Sequence, residues 1–184
     1  IDAAVAWARE LGFLQVVSIG FSMGAAVCLR QAALALHPEL TSPADPRIIS
    51  PVDAVVAVSG PAFWYYRGTK VMRGLHWCVE TKLGRGMLRM KKTNIRPVQW
   101  PLQRPIEPSA AAGLLGTTPL LVVHGTHDRY FPVEHPKAIH RAAVESGHPD
   151  AEVWLLDGVG HAEAAMAMDT IDEIAKWSLA RCSD

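Results

Sequence analysis

Apolar and polar positions divide the chain into alternating helix-like and strand-like stretches. Residues 1–11 are helical in composition, and Gly12 follows as a stop. Residues 14–19 form a short β-prone run, and residues 25–36 a helical one. Residues 52–59 and 119–125 are short and almost continuously apolar, as strands covered on both faces are. Residues 151–157 read as a further strand, and residues 136–146 and 162–180 as helices. The order predicts an α/β fold, a mostly parallel sheet flanked by helices. The stretch between residues 59 and 120 is far longer than an ordinary connection between strands.

Chemistry collects where the predicted strands end. The first runs into Gly20-Phe21-Ser22-Met23-Gly24, and a helix follows at once. A glycine-flanked serine between strand and helix is the setting of a nucleophile elbow, in which a strained turn lifts the hydroxyl above the sheet. Small neighbours let strand and helix approach closely, and the helix N-terminus favours developing negative charge. The strand at 119–125 leads into Thr126-His127-Asp128, and the strand at 151–157 into Gly158-Val159-Gly160-His161. Serine, acid and histidine thus appear in that order, each just past a strand, at the sheet edge where open parallel sheets gather their catalytic groups.

With these three motifs in that order, the chain resembles the α/β-hydrolases, and the resemblance covers nearly its whole length. It implies an ester-cleaving serine hydrolase that forms an acyl-enzyme and needs no cofactor. Ser22 is then the nucleophile, His161 the base and later the acid, and Asp128 the group that orients the imidazole. The Met23 amide supplies an oxyanion-hole donor. Phe21 and Trp64 become candidate substrate-binding residues. Thioesterases, acyltransferases and peptidases share the same triad, so the acyl bond stays open. The competing reading from another class is a non-catalytic fragment or pseudo-enzyme that acts as a binding module.

Each position has a plainer alternative. Ser22 also suits a helix N-cap. Asp128 suits an Asx turn, and Asp157 is its rival for the acid role. His161 suits a cap on the final helix. His124 and His127 read as packing or supporting groups, and His135 and His140 as solvent-exposed positions on a helix. No ligand pair among these histidines and acids has regular zinc spacing, so no metal is expected.

The division implied by the resemblance is a core at residues 1–61, a lid or cap insertion at 62–118, and a second core segment at 119–184. Residues 62–108 hold ten Lys or Arg and two acids, a net +8 that the rest of a chain of zero net charge balances. A basic lid suits an acidic substrate or a weak contact with an anionic membrane surface. Nucleic acid is not expected, because Phe63, Trp64, Tyr65 and Tyr66 precede the charges instead of interleaving with them. Pro97, Pro101, Pro105 and Pro108 read as an extended strap returning to the core. With the aromatic cluster, the lid inclines the expected substrate toward esters with an apolar acyl chain.

Composition adds little more. A chain of 184 residues with 49% hydrophobic content can bury one sizeable core. No apolar run reaches the 18 or so residues of a membrane span. Cys28, Cys78 and Cys182 lack paired spacing, which suits a reducing compartment such as the cytoplasm, with Cys28 a buried free thiol. The resemblance implies further strands ahead of residue 1, one carrying a second oxyanion-hole donor. On that expectation the isolated chain is poorly active or poorly soluble.

Overall fold

The structure is a computed structural model that describes residues 1–41, 50–96, 104–161, 163 and 168–181. Its contacts divide it into two compact units, residues 1–64 with 106–184 and residues 65–105.

The first unit is built on four parallel strands: β1 (Val17–Phe21), β2 (Ala54–Val58), β3 (Leu120–Gly125) and β4 (Ala151–Leu156), hydrogen-bonded in that order. Helices α1 (Asp2–Glu10), α2 (Met23–Leu36), α5 (Pro108–Ala112), α6 (Glu134–Glu145) and α7 (Met168–Arg181) surround them. Alternate residues of a strand face opposite ways, so β2, β3 and β4 each feed two cores. Val55, Ala57, Leu120 and Val122 pack with Val5, Leu29, Ala111, Leu115 and Ile139. Ala54, Val56, Val58, Leu121 and Val123 pack with Ile174 and Trp177 of α7. Burial on both faces explains why Ala54–Val58 of β2 and residues 120–123 of β3 read as unbroken Val, Ala and Leu runs instead of alternating ones.

Two boundaries differ from the sequence reading for physical reasons. The first strand begins at Val17, not near residue 14, because Phe13 still bonds to the Ala8 carbonyl and Arg9 reaches the Leu14 carbonyl. Arg9 also meets Asp53 at 2.6 Å, and Asp53 accepts the Val16 N–H at 2.6 Å, which ties the helix exit to the start of β2. Pro108 does not continue an extended strap. It sits in the first turn of α5, where its fixed φ and missing N–H fit, and Ala111 and Ala112 then bury completely. Pro97 and Pro101 lie outside the described residues, as do 162 and 164–167 of the expected final helix.

The second unit, Tyr65–Pro105, holds α3 (Lys70–Glu80) and α4 (Lys82–Met90). Thr69 caps α3 by accepting the Met72 N–H at 3.2 Å, and Thr81 caps α4 by accepting the Gly84 N–H at 3.0 Å. A Cβ on Gly84 would stand 2.5 Å from the Cys78 Cα, so this glycine sets how closely the two helices cross. Arg85 donates to the carbonyls of Val79 and Glu80, satisfying the C-terminal end of α3. Among the described residues, no helix of either unit is long and apolar enough to cross a membrane.

Candidate active site at the C-terminal sheet edge

Ser22 follows β1 directly with φ 54° and ψ −122°, a conformation that costs a non-glycine residue about 1–3 kcal/mol. The turn is nonetheless fully bonded: the Ser22 N–H donates to Val58 at 2.8 Å and its carbonyl accepts from Ala25 at 3.1 Å. Two glycines make the geometry possible. A Cβ on Gly20 would lie 2.4 Å from the Gly24 carbonyl oxygen, and one on Gly60 would lie 2.6 Å from the Ala25 Cβ. Gly24 differs from the sequence expectation, since a Cβ there would meet nothing within 4 Å among the described residues. Only the first glycine of the motif is demanded by close approach.

Asp128 lies beyond β3 with its side chain wholly buried. Its Oδ1 accepts the N–H groups of Tyr130 (2.7 Å) and Phe131 (3.0 Å), which is the Asx turn, and its Oδ2 accepts Nδ1 of His161 at 2.7 Å. The plain reading and the functional one therefore hold together. Burial alone would raise this carboxyl, but the hydrogen bonds from His161, Phe131 and Tyr130 outweigh it and hold it below the usual carboxylate range.

His161 reaches its position through a glycine contact and a polar zipper. A Cβ on Gly125 would fall 2.1 Å from the Val159 carbonyl oxygen, so a bare residue is needed where the loop after β4 crosses the end of β3. The two loops are joined by Thr126 N–H to Leu156 (2.9 Å), His127 N–H to Val159 (2.9 Å) and Gly158 N–H to Thr126 Oγ1 (2.9 Å). Asp157, the rival acid, instead accepts the Thr126 hydroxyl at 3.1 Å. Tyr130 stacks on the His161 ring at 4.3 Å and Phe131 meets it edge-on at 5.6 Å. The other ring nitrogen, Nε2, stands 3.0 Å from Ser22 Oγ. Three residues separated by up to 139 positions thus form one hydrogen-bonded chain, Ser22–His161–Asp128.

The remaining sequence candidates are placed as follows. Met23 opens α2, so its N–H is one of the amides for which a helix supplies no acceptor. Phe21 is the last residue of β1 and is partly exposed beside the elbow. Trp64 is pinned twice, its amide N–H to Glu107 at 2.6 Å and its indole N–H to the Ile106 carbonyl at 2.7 Å. Cys28 is buried and free, and burial raises its thiol despite a hydrogen bond with Ser18.

His124 and His135 form the part of the site that sequence reasoning saw least. His124 is fully buried, as its packing role suggested. It donates through Nε2 to the Phe131 carbonyl at 2.8 Å, and the same nitrogen lies 3.4 Å from Asp128 Oδ2. Burial lowers its pKa, against the pull of that carbonyl and of Asp128. His135 was expected in solvent and is instead only 2% exposed. Its Nδ1 accepts the Ala62 N–H at 2.9 Å, and Phe131 and Phe63 pack against its ring. Burial, helped by nearby His124, pushes it down to about 4 against the opposing charges of Asp128 and Glu134. Helical spacing alone carries no signal for this, because the covering residues come from two other segments. His140, also expected in solvent, is part-buried and bonds the Ala151 carbonyl at 3.1 Å.

No protein-family model matches the chain, and none of the curated proteins does. Solved structures do. The esterase Pf2001 of Pyrococcus furiosus superposes with a TM-score of 0.64 at 18% identity, over 98% of this chain and 59% of that one. SOBER1 of Arabidopsis thaliana gives 0.54 at 18%, over 98% and 60%. Acyl-protein thioesterase 2 of Zea mays gives 0.54 at 18%, over 98% and 64%. The chain therefore has an α/β-hydrolase fold in part, spanning about three fifths of the length of these structures.

Proposed function

We propose that Ser22, His161 and Asp128 form the catalytic triad of a serine hydrolase acting on carboxylic esters. The observation that carries this reading is the continuous relay of 3.0 Å and 2.7 Å at a serine on a strained elbow. With Nδ1–H donating to Asp128, Nε2 of His161 presents its lone pair to the Ser22 hydroxyl. As Ser22 Oγ bonds to the acyl carbon, its proton passes to Nε2, and the carbonyl pair moves onto oxygen. The Met23 amide and the N-terminal end of α2 favour that oxyanion. Asp128 stabilises the imidazolium, aided by its own depressed pKa. His161 then protonates the leaving alkoxide, giving an acyl-Ser22 ester. Water, deprotonated by the same Nε2, releases the acid and restores the serine.

The named esterase and thioesterase neighbours support an acyl carbon as the electrophile. The partly exposed Phe21 beside the elbow favours an apolar acyl group there. The test is intact-mass analysis after exposure to a fluorophosphonate. One adduct is expected, absent in Ser22→Ala. A folded chain that takes no adduct, or takes one that survives Ser22→Ala, would falsify the assignment.

A further inference from the structure

Residues 65–105 carry ten Lys or Arg and a single acid, Glu80. Glu80 is itself neutralised, held by Arg67 at 2.7 Å and by His76 at 2.7 Å. The charge is arranged, not scattered. On α4, Lys82, Arg85 and Arg89 share one face, while Leu83, Met87 and Met90, at i, i+4 and i+7, share another. Gly84, turned toward α3, marks the packed side. The apolar stripe is exposed: 68% for Leu83 and 80% for Met90. Exposed cations adjoin it, Lys82 and Arg89 on the helix and Lys91 and Lys92 just past its end.

Three apolar side chains left in water beside a one-sign charge field need a partner with both an apolar and an anionic layer. We propose that α4 docks on an anionic lipid bilayer, lying in the interface with Leu83, Met87 and Met90 among the acyl chains and its cations at the headgroups. The layering matches: long Lys and Arg side chains flanking an apolar stripe reach back toward phosphate while the stripe enters the hydrocarbon boundary. A second copy of the chain is a poor occupant, since the same cations would face each other. The inference stands apart from the catalytic reading, and Ser22→Ala is expected to bind vesicles like the parent.

The test is co-sedimentation of the 184-residue chain with vesicles of phosphatidylcholine alone or with about 30% phosphatidylserine, at about 0.1 M salt. Binding is expected only with phosphatidylserine. Lys82→Gln with Arg89→Gln should lower the partition coefficient about 30-fold, roughly fivefold per cation. Leu83→Ser with Met87→Ser should lower it by about tenfold or more, with circular dichroism unchanged. Equal binding to neutral vesicles, or no binding to either, overturns the proposal. So does binding that needs the cations but ignores the serine substitutions, which would mark an acidic macromolecule as the partner instead.

Discussion

At the end of β1 the site is held by close approach and backbone bonds, whereas at the ends of β3 and β4 side-chain hydrogen bonds hold it as well. Gly20 and Gly60 let backbone and Ala25 approach where no Cβ fits, and Ser22 is forced to φ 54°. No side-chain hydrogen bond of Ser22 fixes that turn, for its Oγ faces His161. Across the site, Asp128 is held by two amides and one imidazole, and the His161 loop by Thr126 and the backbone of Leu156, Gly158 and Val159. The two constructions fail differently. A shape-held residue is sensitive to added atoms, and a bond-held one to a changed donor or proton.

The largest expected effect lies on the bonded side. In Asp128→Asn, Oδ1 still accepts from Tyr130 and Phe131, so the turn survives. The amide now offers N–H groups toward His161 Nδ1, which must turn its lone pair to them and carry its proton on Nε2. That tautomer cannot accept from Ser22. The rate of fluorophosphonate labelling should fall by about 10⁴ while circular dichroism stays that of the folded chain. A fall of less than tenfold would show that the imidazole is oriented by something other than Asp128.

On the shape-held side, Gly20→Ala and Gly24→Ala should separate two glycines that the motif treats alike. The Gly20 methyl meets the Gly24 carbonyl at 2.4 Å, and only movement of the α2 backbone relieves it. Such movement carries Ser22 and the Met23 amide with it, so labelling should slow by about 10²-fold and stability should drop by about 1–3 kcal/mol. Gly24→Ala has open space and should leave both within about a factor of three, or about 0.6 kcal/mol. Labelling kinetics and urea unfolding read both outcomes. Equal damage from the two variants would remove the steric account of the elbow.

These differences mark what could be read from residues alone. β2 and β3 were plain because a strand buried on both sheet faces is mostly apolar, and Val52–Ser59 and Pro119–Gly125 carry that pattern. Ser22, Asp128 and His161 were legible because a parallel sheet delivers all its strand ends to one edge. Gly24 was misjudged because a sequence motif records identity, not which Cβ would collide. Burial of His135 and His140 was misjudged because helical phase predicts a face, not what covers it. Ala62, Phe63 and Phe131 settle that for His135 from distant parts of the chain.

His135 provides an effect on stability alone, and one that only the bonded side can show. Its pKa is about 4 when folded, against an ordinary value of 6.5. Between those values the unfolded chain takes up a proton that the folded chain refuses. The stability that a neutral His135 contributes is therefore complete above about pH 6.5 and lost progressively as pH falls to about 4, amounting to about 3 kcal/mol. Asp128, also depressed, yields its share only further down, as pH falls from the ordinary carboxylate range through its folded value. In His135→Asn the amide oxygen can still accept from Ala62, but nothing at that position titrates. Urea unfolding of parent and variant across this range should show their difference in free energy shrinking by about 3 kcal/mol toward the acid end. Ser22, held by shape, contributes nothing to that slope. Parallel pH curves for the two proteins would mean that His135 takes up its proton as readily in the fold as in the unfolded chain, and that the Ala62 N–H is not what it accepts.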